Sequence, residues 1–172
     1  RKFAALGARF DLRVLATSAD GRARDEGVFR LLPRLPFLDG PLFYVLLPFR
    51  VRKAAREHGA EAIVTQSPYE AALVWLAHTR AKVIVELHGD WRTATRLYGS
   101  RSRRLLSPVA DRIALAAIRR ADGVRAVSAY AARLVDDTGR SPDDVFSAFT
   151  FLDPFDEEPA PLPARPQALF VG

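Results

Sequence analysis

A histidine, a glycine and an aspartate follow an apolar run near the middle of the chain. The run is KVIVEL at residues 82–87, and His88, Gly89 and Asp90 come directly after it. An imidazole can hydrogen-bond a hydroxyl or a phosphate and can move a proton near neutral pH. Glycine allows a ligand to approach the backbone, and a carboxylate accepts hydrogen bonds from hydroxyls. These residue types suit a catalytic His88 with Gly89 and Asp90 binding substrate. A structural turn, in which Asp90 caps a helix and His88 bonds to the backbone, explains them as well.

Polar residues also follow two other apolar runs. Gln66, Ser67 and Tyr69 come after AIVT at 62–65, and Ser128 comes after GVRAV at 123–127. Each group stands where a helix is predicted to begin, and helix N-termini favour anions. We therefore include these four residues among the candidate substrate-binding residues. Simple capping of the helices by Ser67 and Ser128 is the alternative.

Arginines are concentrated just beyond the histidine, in a stretch with no acidic residue between Trp91 and Ala110. Such a cluster could bind a phosphate-bearing acceptor or an anionic membrane surface, and Arg92 is the member nearest to His88. A solvated loop and helix entry would have the same composition. The cluster consists of Arg92, Arg96, Arg101, Arg103 and Arg104.

The elements that must position these residues alternate between strand and helix, which is typical of β-α-β units with a parallel sheet. The predicted fold is a doubly wound, Rossmann-like α/β domain. Such a fold binds ligands at the carboxyl ends of its strands, where the three polar segments are predicted to meet. Strands are predicted at 11–17, 28–35, 62–65, 82–87, 123–127 and 145–149, and helices at 41–58, 68–79, 101–120 and 129–137.

Two of the predicted helices have distinctive apolar patterns. In the helix at 101–120, Leu105, Val109, Ile113 and Ala117 recur at a spacing of four, which predicts a buried face. The helix at 41–58 is apolar first and basic later. It could lie in a membrane interface, or its apolar residues could pack on the sheet.

Composition excludes several classes of protein. The chain has 172 residues, a net charge of +6, no cysteine and three histidines without metal-ligand spacing. Disulfide scaffolds and thiol catalysis are excluded, and we expect neither a metal nor a cofactor. The sequence contains neither of the glycine-rich nucleotide-binding motifs G-x-G-x-x-G and G-x-x-x-x-G-K-[ST], and it lacks the G-x-S-x-G motif of hydrolases. No apolar run is long enough to span a membrane, so a cytoplasmic protein is expected.

The sequences at both ends of the chain predict that the chain is part of a larger protein. Residues 1–158 are expected to form a Rossmann-like domain that lacks its first strand, so the strands at 11–17 and 62–65 should flank a gap or pair abnormally. Residues 159–166 contain four prolines and are typical of an interdomain linker. Residues 167–172 (QALFVG) are expected to begin a second domain.

Three segments in order, VIVELHGDWR, RRADGVRAVSAYAARLVDDTG and FTFLDPF, resemble the N-terminal half of a family 4 glycosyltransferase of the GT-B fold. His88-Gly89 matches the end of a strand in that family. Ala121-Asp122 through Val127-Ser128 matches a later element, and Asp153 with Phe155 matches a third. Phe151-Leu152 stands where the family has Asn-Gly.

The resemblance implies transfer of a sugar from a nucleotide-diphosphate donor to an acceptor hydroxyl, with retention and without an essential metal. It implies that this half mainly binds the acceptor, for which a lipid- or phosphate-linked hydroxyl is an open alternative, and that His88 faces the donor sugar. The leaving diphosphate would be held by the other half, so the chain alone is predicted to be inactive. Peripheral contact with the inner face of the membrane stays open.

Two other functions remain open at this point. One is a sugar-nucleotide epimerase of the same fold. The other is a non-catalytic module for nucleic acid or anionic lipid, which the net charge and the arginines at 92–104 would suit. Aromatic residues are not interleaved with these arginines as stacking platforms would be, and acidic residues dominate 143–158. We therefore predict no nucleic-acid partner.

Overall fold

Strands and helices alternate along the part of the chain that the computed structural model describes. That part comprises residues 6–18, 20–33, 39–93 and 101–146, with backbone alone at 39–41 and 101–106. The elements in chain order are β1 (Val14–Thr17), β2 (Arg24–Glu26), β3 (Phe29–Leu32), α1 (Asp39–His58), β4 (Ala62–Thr65), α2 (Pro68–Leu76), β5 (Lys82–Leu87), α3 (Arg101–Arg120), β6 (Gly123–Ala126), α4 (Ala129–Asp136) and β7 (Asp144–Val145).

Four strands form an all-parallel sheet in the order β4-β5-β6-β7. The internal strand β5 is the most buried of the four, with Val83, Val85 and Leu87 in the core. A strand buried in this way is expected where helices cover a parallel sheet. The predicted α/β class and the parallel sheet are therefore confirmed, and the carboxyl ends of β4, β5 and β6 lie side by side.

The core lies between this sheet and the helices α1, α2 and α3. Ala114, Ala117 and Ile118 of α3 are buried, as is Ala121 just after the helix, at intervals of three and four. The prediction of a buried stripe through Val109 and Ile113 is wrong, because both side chains are exposed. A helix has 3.6 residues per turn, so a strict spacing of four drifts by about 40° at each step and leaves the buried face.

The remaining strands form a second sheet in the order β1-β3-β2. β1 pairs with β3 in parallel, whereas β2 and β3 form a hairpin whose turn contains Gly27 at a φ of +54°. The prediction of one strand at 28–35 missed β2, since the charged sequence RDE carries no apolar signal. Among the described strands β1 and β4 belong to different sheets and are not neighbours.

The other boundaries differ from the predictions by a few residues. α2 and α4 end earlier than predicted, and Gly59 and Gly139, both at positive φ, follow α1 and α4. β1 begins at Val14 rather than at residue 11. The predicted linker at 159–166, the strand at 167–172 and the motif around Asp153 lie outside the described residues.

Candidate functional site

The segments that follow β4, β5 and β6 contact one another at the carboxyl edge of the sheet. The hydroxyl of Tyr69, on α2, donates to the carbonyl of Trp91 at 3.4 Å. The hydroxyl of Tyr130, on α4, donates to Asp90 Oδ2 at 3.3 Å. The two tyrosines thus join the helices α2 and α4 to the segment after β5, as the parallel topology predicts.

His88 is the most exposed titratable side chain of this central segment, with 45% of the side chain accessible. Its Nε2 lies 3.0 Å from Glu86 Oε1. Residues 86 and 88 are two apart along an extended backbone, so their side chains share one side of the sheet. The partner of His88 is therefore a side-chain carboxylate and not the backbone.

Glu86 is a buried carboxylate, with only 3% of its side chain exposed. It is paired across the sheet with Arg125 of β6, whose Nη1 lies 3.1 Å from Glu86 Oε2. Arg125 Nε also contacts Asp144 Oδ2 at 3.0 Å, and its guanidinium stacks 4.5 Å above the ring of Phe146. A row of contacts thus runs from the His88 ring through the charged side chains of Glu86 and Arg125 to Asp144.

Neither Glu86 nor Arg125 was identified as a site residue from the sequence. The available signal is the glutamate itself, one charged residue inside the apolar run VIVEL. A glutamate is rarely buried unless it is paired, so this position predicts a cationic partner on a neighbouring strand.

Asp90 is occupied by hydrogen bonds that hold its own loop. Its Oδ1 accepts from the backbone N–H groups of Arg92 at 2.9 Å and Thr93 at 3.1 Å. Its Oδ2 accepts from the hydroxyls of Thr93 and Tyr130. Burial alone would raise the pKa of Asp90, but these hydrogen bonds outweigh it and leave the pKa lowered. The structure therefore gives Asp90 the capping role that the sequence left open.

Ser67 begins α2 with a capping box. Its Oγ accepts from the N–H of Glu70 at 3.3 Å, while Glu70 Oε2 accepts from the N–H of Gln66 at 3.2 Å. Burial raises the pKa of Glu70, although the N–H donors of Gln66 and Ser67 oppose the shift. Ser128 caps α4 in the same way, accepting from the N–H of Ala131 at 3.1 Å. Both serine hydroxyls therefore serve the helices.

Gly89 and Arg92 are less constrained. Among the described residues, nothing lies within 4 Å of a Cβ built on Gly89, and its φ is not in the left-handed region. The guanidinium of Arg92 stacks 5.4 Å from the ring of buried Trp91. The side chains of the other four arginines of the cluster lie outside the described residues.

The described residues contain no group of three or more histidine, aspartate or glutamate side chains placed to hold a metal ion. None of their helices is both long and apolar enough to cross a membrane.

Comparison with known proteins identifies one family. The family model described as Glycosyltransferase Family 4 matches residues 2–150, a range that contains both sheets and every candidate site residue. The comparison with curated proteins gave no match.

Proposed function

The chain belongs to glycosyltransferase family 4, and we propose that it forms the acceptor-binding half of an enzyme that transfers a sugar from a nucleotide-diphosphate donor to a hydroxyl. In this proposal the configuration of the sugar is retained. The donor diphosphate is held mainly by a second domain, so the 172 residues alone do not turn over.

The observation that carries the proposal is the exposed imidazole of His88 at the carboxyl edge, anchored on a buried carboxylate. Ligands of open α/β sheets bind at this edge. A fixed hydrogen-bonding group there can orient a sugar or acceptor hydroxyl and stabilise the charge that develops during transfer. The neighbouring Glu86 would stabilise a positively charged imidazole without further rearrangement.

Other residues at the edge divide into two groups. Among the described residues Gly89 leaves open space beside the backbone, and Arg92 and exposed Gln66 offer polar groups in the segments after β5 and β4, so we assign these three to substrate binding. Tyr69 and Asp90 join the loops, and Ser67 and Ser128 cap the helices. For these four residues the hydrogen bonds support a role in shaping the edge rather than a direct contact with substrate.

The test compares His88→Ala with His78→Asn in the full-length protein. His78 is an exposed histidine just after α2, at the opposite end of the sheet, and asparagine tolerates its positive φ of 49°. Transfer is measured from a panel of radiolabelled nucleotide sugars to a membrane and polysaccharide extract. We expect His88→Ala to lower transfer by about 100-fold or more and His78→Asn to leave it within about twofold. Undiminished transfer by His88→Ala would contradict the proposal.

A second surface supports peripheral contact with a membrane, and hence a lipid-linked acceptor. In α1, Leu47 and Val51 pack into the core, whereas Val45 and Phe49 on another side of the helix are 64% and 70% exposed. The exposed basic residues Arg52, Lys53 and Arg56 follow along the helix. An exposed apolar stripe that continues into positive charge suits an anionic lipid surface.

This surface is tested by sedimentation with vesicles of mixed anionic and zwitterionic lipid. Val45→Ser with Phe49→Ser should weaken vesicle binding by roughly tenfold or more, because apolar area is lost from the interface. Val109→Ser, which removes an exposed valine from α3, is the matched control and should bind as the unaltered protein does. Equal binding by all three proteins would show that α1 does not dock on lipid.

A further inference from the structure

We propose that Glu86 and Arg125 act together as positioning residues that fix the tautomer of His88, so that its Nδ1 is left as a hydrogen-bond acceptor for a substrate hydroxyl. The assignment of the tautomer rests on the geometry of this chain. Its consequence for transfer rests on the proposed function.

The first step concerns the charge of Glu86. A buried carboxylate is stable as an anion only when it is paired, and here Arg125 supplies the cation from the adjacent strand at 3.1 Å. Among the described residues, Arg125 of β6 faces this carboxylate through Oε2 and His88, just after β5, faces it through Oε1, with Asp144 of β7 on the far side of Arg125. Glu86 therefore presents a different oxygen to each of these two donors.

The second step concerns the proton of the imidazole. An ionised carboxylate can only accept, so Glu86 Oε1, 3.0 Å from the ring, favours a proton on Nε2 over one on Nδ1. In the neutral ring the other nitrogen then has a lone pair. Nε2 is consequently the donor toward the protein, and Nδ1 is the acceptor available to substrate.

The third step separates positioning from stability. Arg125 is also held by Asp144 and by the ring of Phe146, so the guanidinium has partners besides Glu86. Apolar residues of similar volume often replace a buried ion pair with no loss of stability. The half-exposed contact with His88 adds little stability either. What Glu86 supplies, and an apolar residue could not, is a fixed acceptor under the imidazole.

The test reads the tautomer directly by long-range ¹H–¹⁵N NMR on the chain labelled at its three histidines, at a pH where the rings are neutral. We expect His88 to be in the Nε2–H form. In Glu86→Gln the single amide oxygen can serve only one of the two donors. The guanidinium of Arg125 has donors only and takes this oxygen, so the amide NH₂ turns to the ring and the proton moves to Nδ1.

Three comparisons make the measurement decisive. The signals of His58 and His78 should not change in Glu86→Gln, which also shows that the variant is folded. Arg125→Lys keeps the positive charge and should keep the Nε2–H form of His88. If Glu86→Gln does not fold, the tautomer of His88 in the unaltered chain still tests the proposal. A mixture of the two tautomers like that of exposed His78 would overturn it. Retention of the Nε2–H form by folded Glu86→Gln would overturn it as well.

The two proposals fail in different ways. Transfer by full-length Glu86→Gln should fall by roughly tenfold or more in kcat, with a smaller change in KM, because the ring now offers a donor in place of an acceptor. If the tautomer inverts but His88→Ala still transfers sugar, the proposed function is wrong and the positioning of His88 stands. If His88→Ala is inactive but the tautomer does not invert, only the positioning role is wrong.

Discussion

The end of β5 differs from the ends of β4 and β6 in how its polar side chain is used. After β4 and β6, Ser67 and Ser128 turn their hydroxyls onto the first turns of α2 and α4. After β5, the imidazole of His88 is half exposed and contacts a buried carboxylate beneath it. In sequence all three positions look alike, as polar residues that follow short apolar strands.

The difference shows that position at the carboxyl edge does not by itself make a residue functional. A hydroxyl that accepts from a backbone N–H contributes to the fold and has limited capacity left for a ligand. A group held in place by another side chain keeps a free face. The hydrogen-bond partners of each side chain therefore distinguish a functional residue from a structural one at this edge. The two kinds of residue should differ in their effects on stability and on acid sensitivity.

The largest effect is expected from breaking the support beneath His88. Arg125→Met leaves Glu86 buried without its cation and should lower the free energy of unfolding by about 3 kcal/mol. Glu86→Met combined with Arg125→Met removes both charges and should recover most of that loss, since it leaves no unpaired ion. Chemical denaturation of the two variants and the unaltered chain measures both values.

The double variant also serves as the control for this comparison. If it is as unstable as Arg125→Met alone, packing of the arginine against Phe146 matters more than the buried charge. That outcome would remove the electrostatic link between β5 and β6 on which the positioning of His88 depends.

An intermediate effect separates the capping serines from the histidine. Ser67→Ala and Ser128→Ala should each cost about 1 kcal/mol of stability, because each leaves a helix N–H without its acceptor. His88→Ala should change stability by less than about 0.5 kcal/mol, as expected for the loss of a half-exposed polar contact. Thermal unfolding of the three variants checks this order. A stability loss in His88→Ala equal to that in the serine variants would remove the distinction between the strand ends.

Much of the fold could be predicted because its signals are local. The apolar runs of β4 and β5 and the caps Ser67 and Ser128 fix these boundaries to within a residue or two. The strand β2 could not be found, because its charged residues are stabilised by pairing with β3 and not by burial. The buried face of α3 was misjudged because Val109 and Ile113 look like core residues until the helical period is applied.

The site was only half predictable for a related reason. The position of His88 follows from the strand before it and the topology rule. Arg125, the partner of Glu86, is 39 residues further along the chain than Glu86, and the register that places the two opposite each other is a property of the assembled sheet. Long-range pairing of this kind cannot be found from local spacing, although a glutamate within an apolar strand indicates that a partner exists.

The smallest expected effect concerns acid. Asp143 accepts from the N–H of Val124 at 2.7 Å and contacts Arg140 at 3.1 Å, and these contacts lower its pKa although burial opposes the shift. A folded-state pKa below the unfolded value of about 3.9 stabilises the fold above that pH, and the contribution is lost as the pH falls through the folded-state value. Asp90, whose pKa is also lowered, should behave in the same way.

Asp143→Asn and Asp90→Asn should therefore unfold more easily than the unaltered chain at about pH 6, by less than either serine variant. The differences should shrink as the pH falls through the lowered pKa values of the native aspartates, where these carboxylates become protonated in the fold as well. Denaturant titrations at several pH values measure the trend. Asp143 braces β6 against the segment leading to β7, far from His88, so only Asp90→Asn should also disturb the edge. A difference that grows on acidification would mean that these carboxylates are not stabilised as anions in the fold.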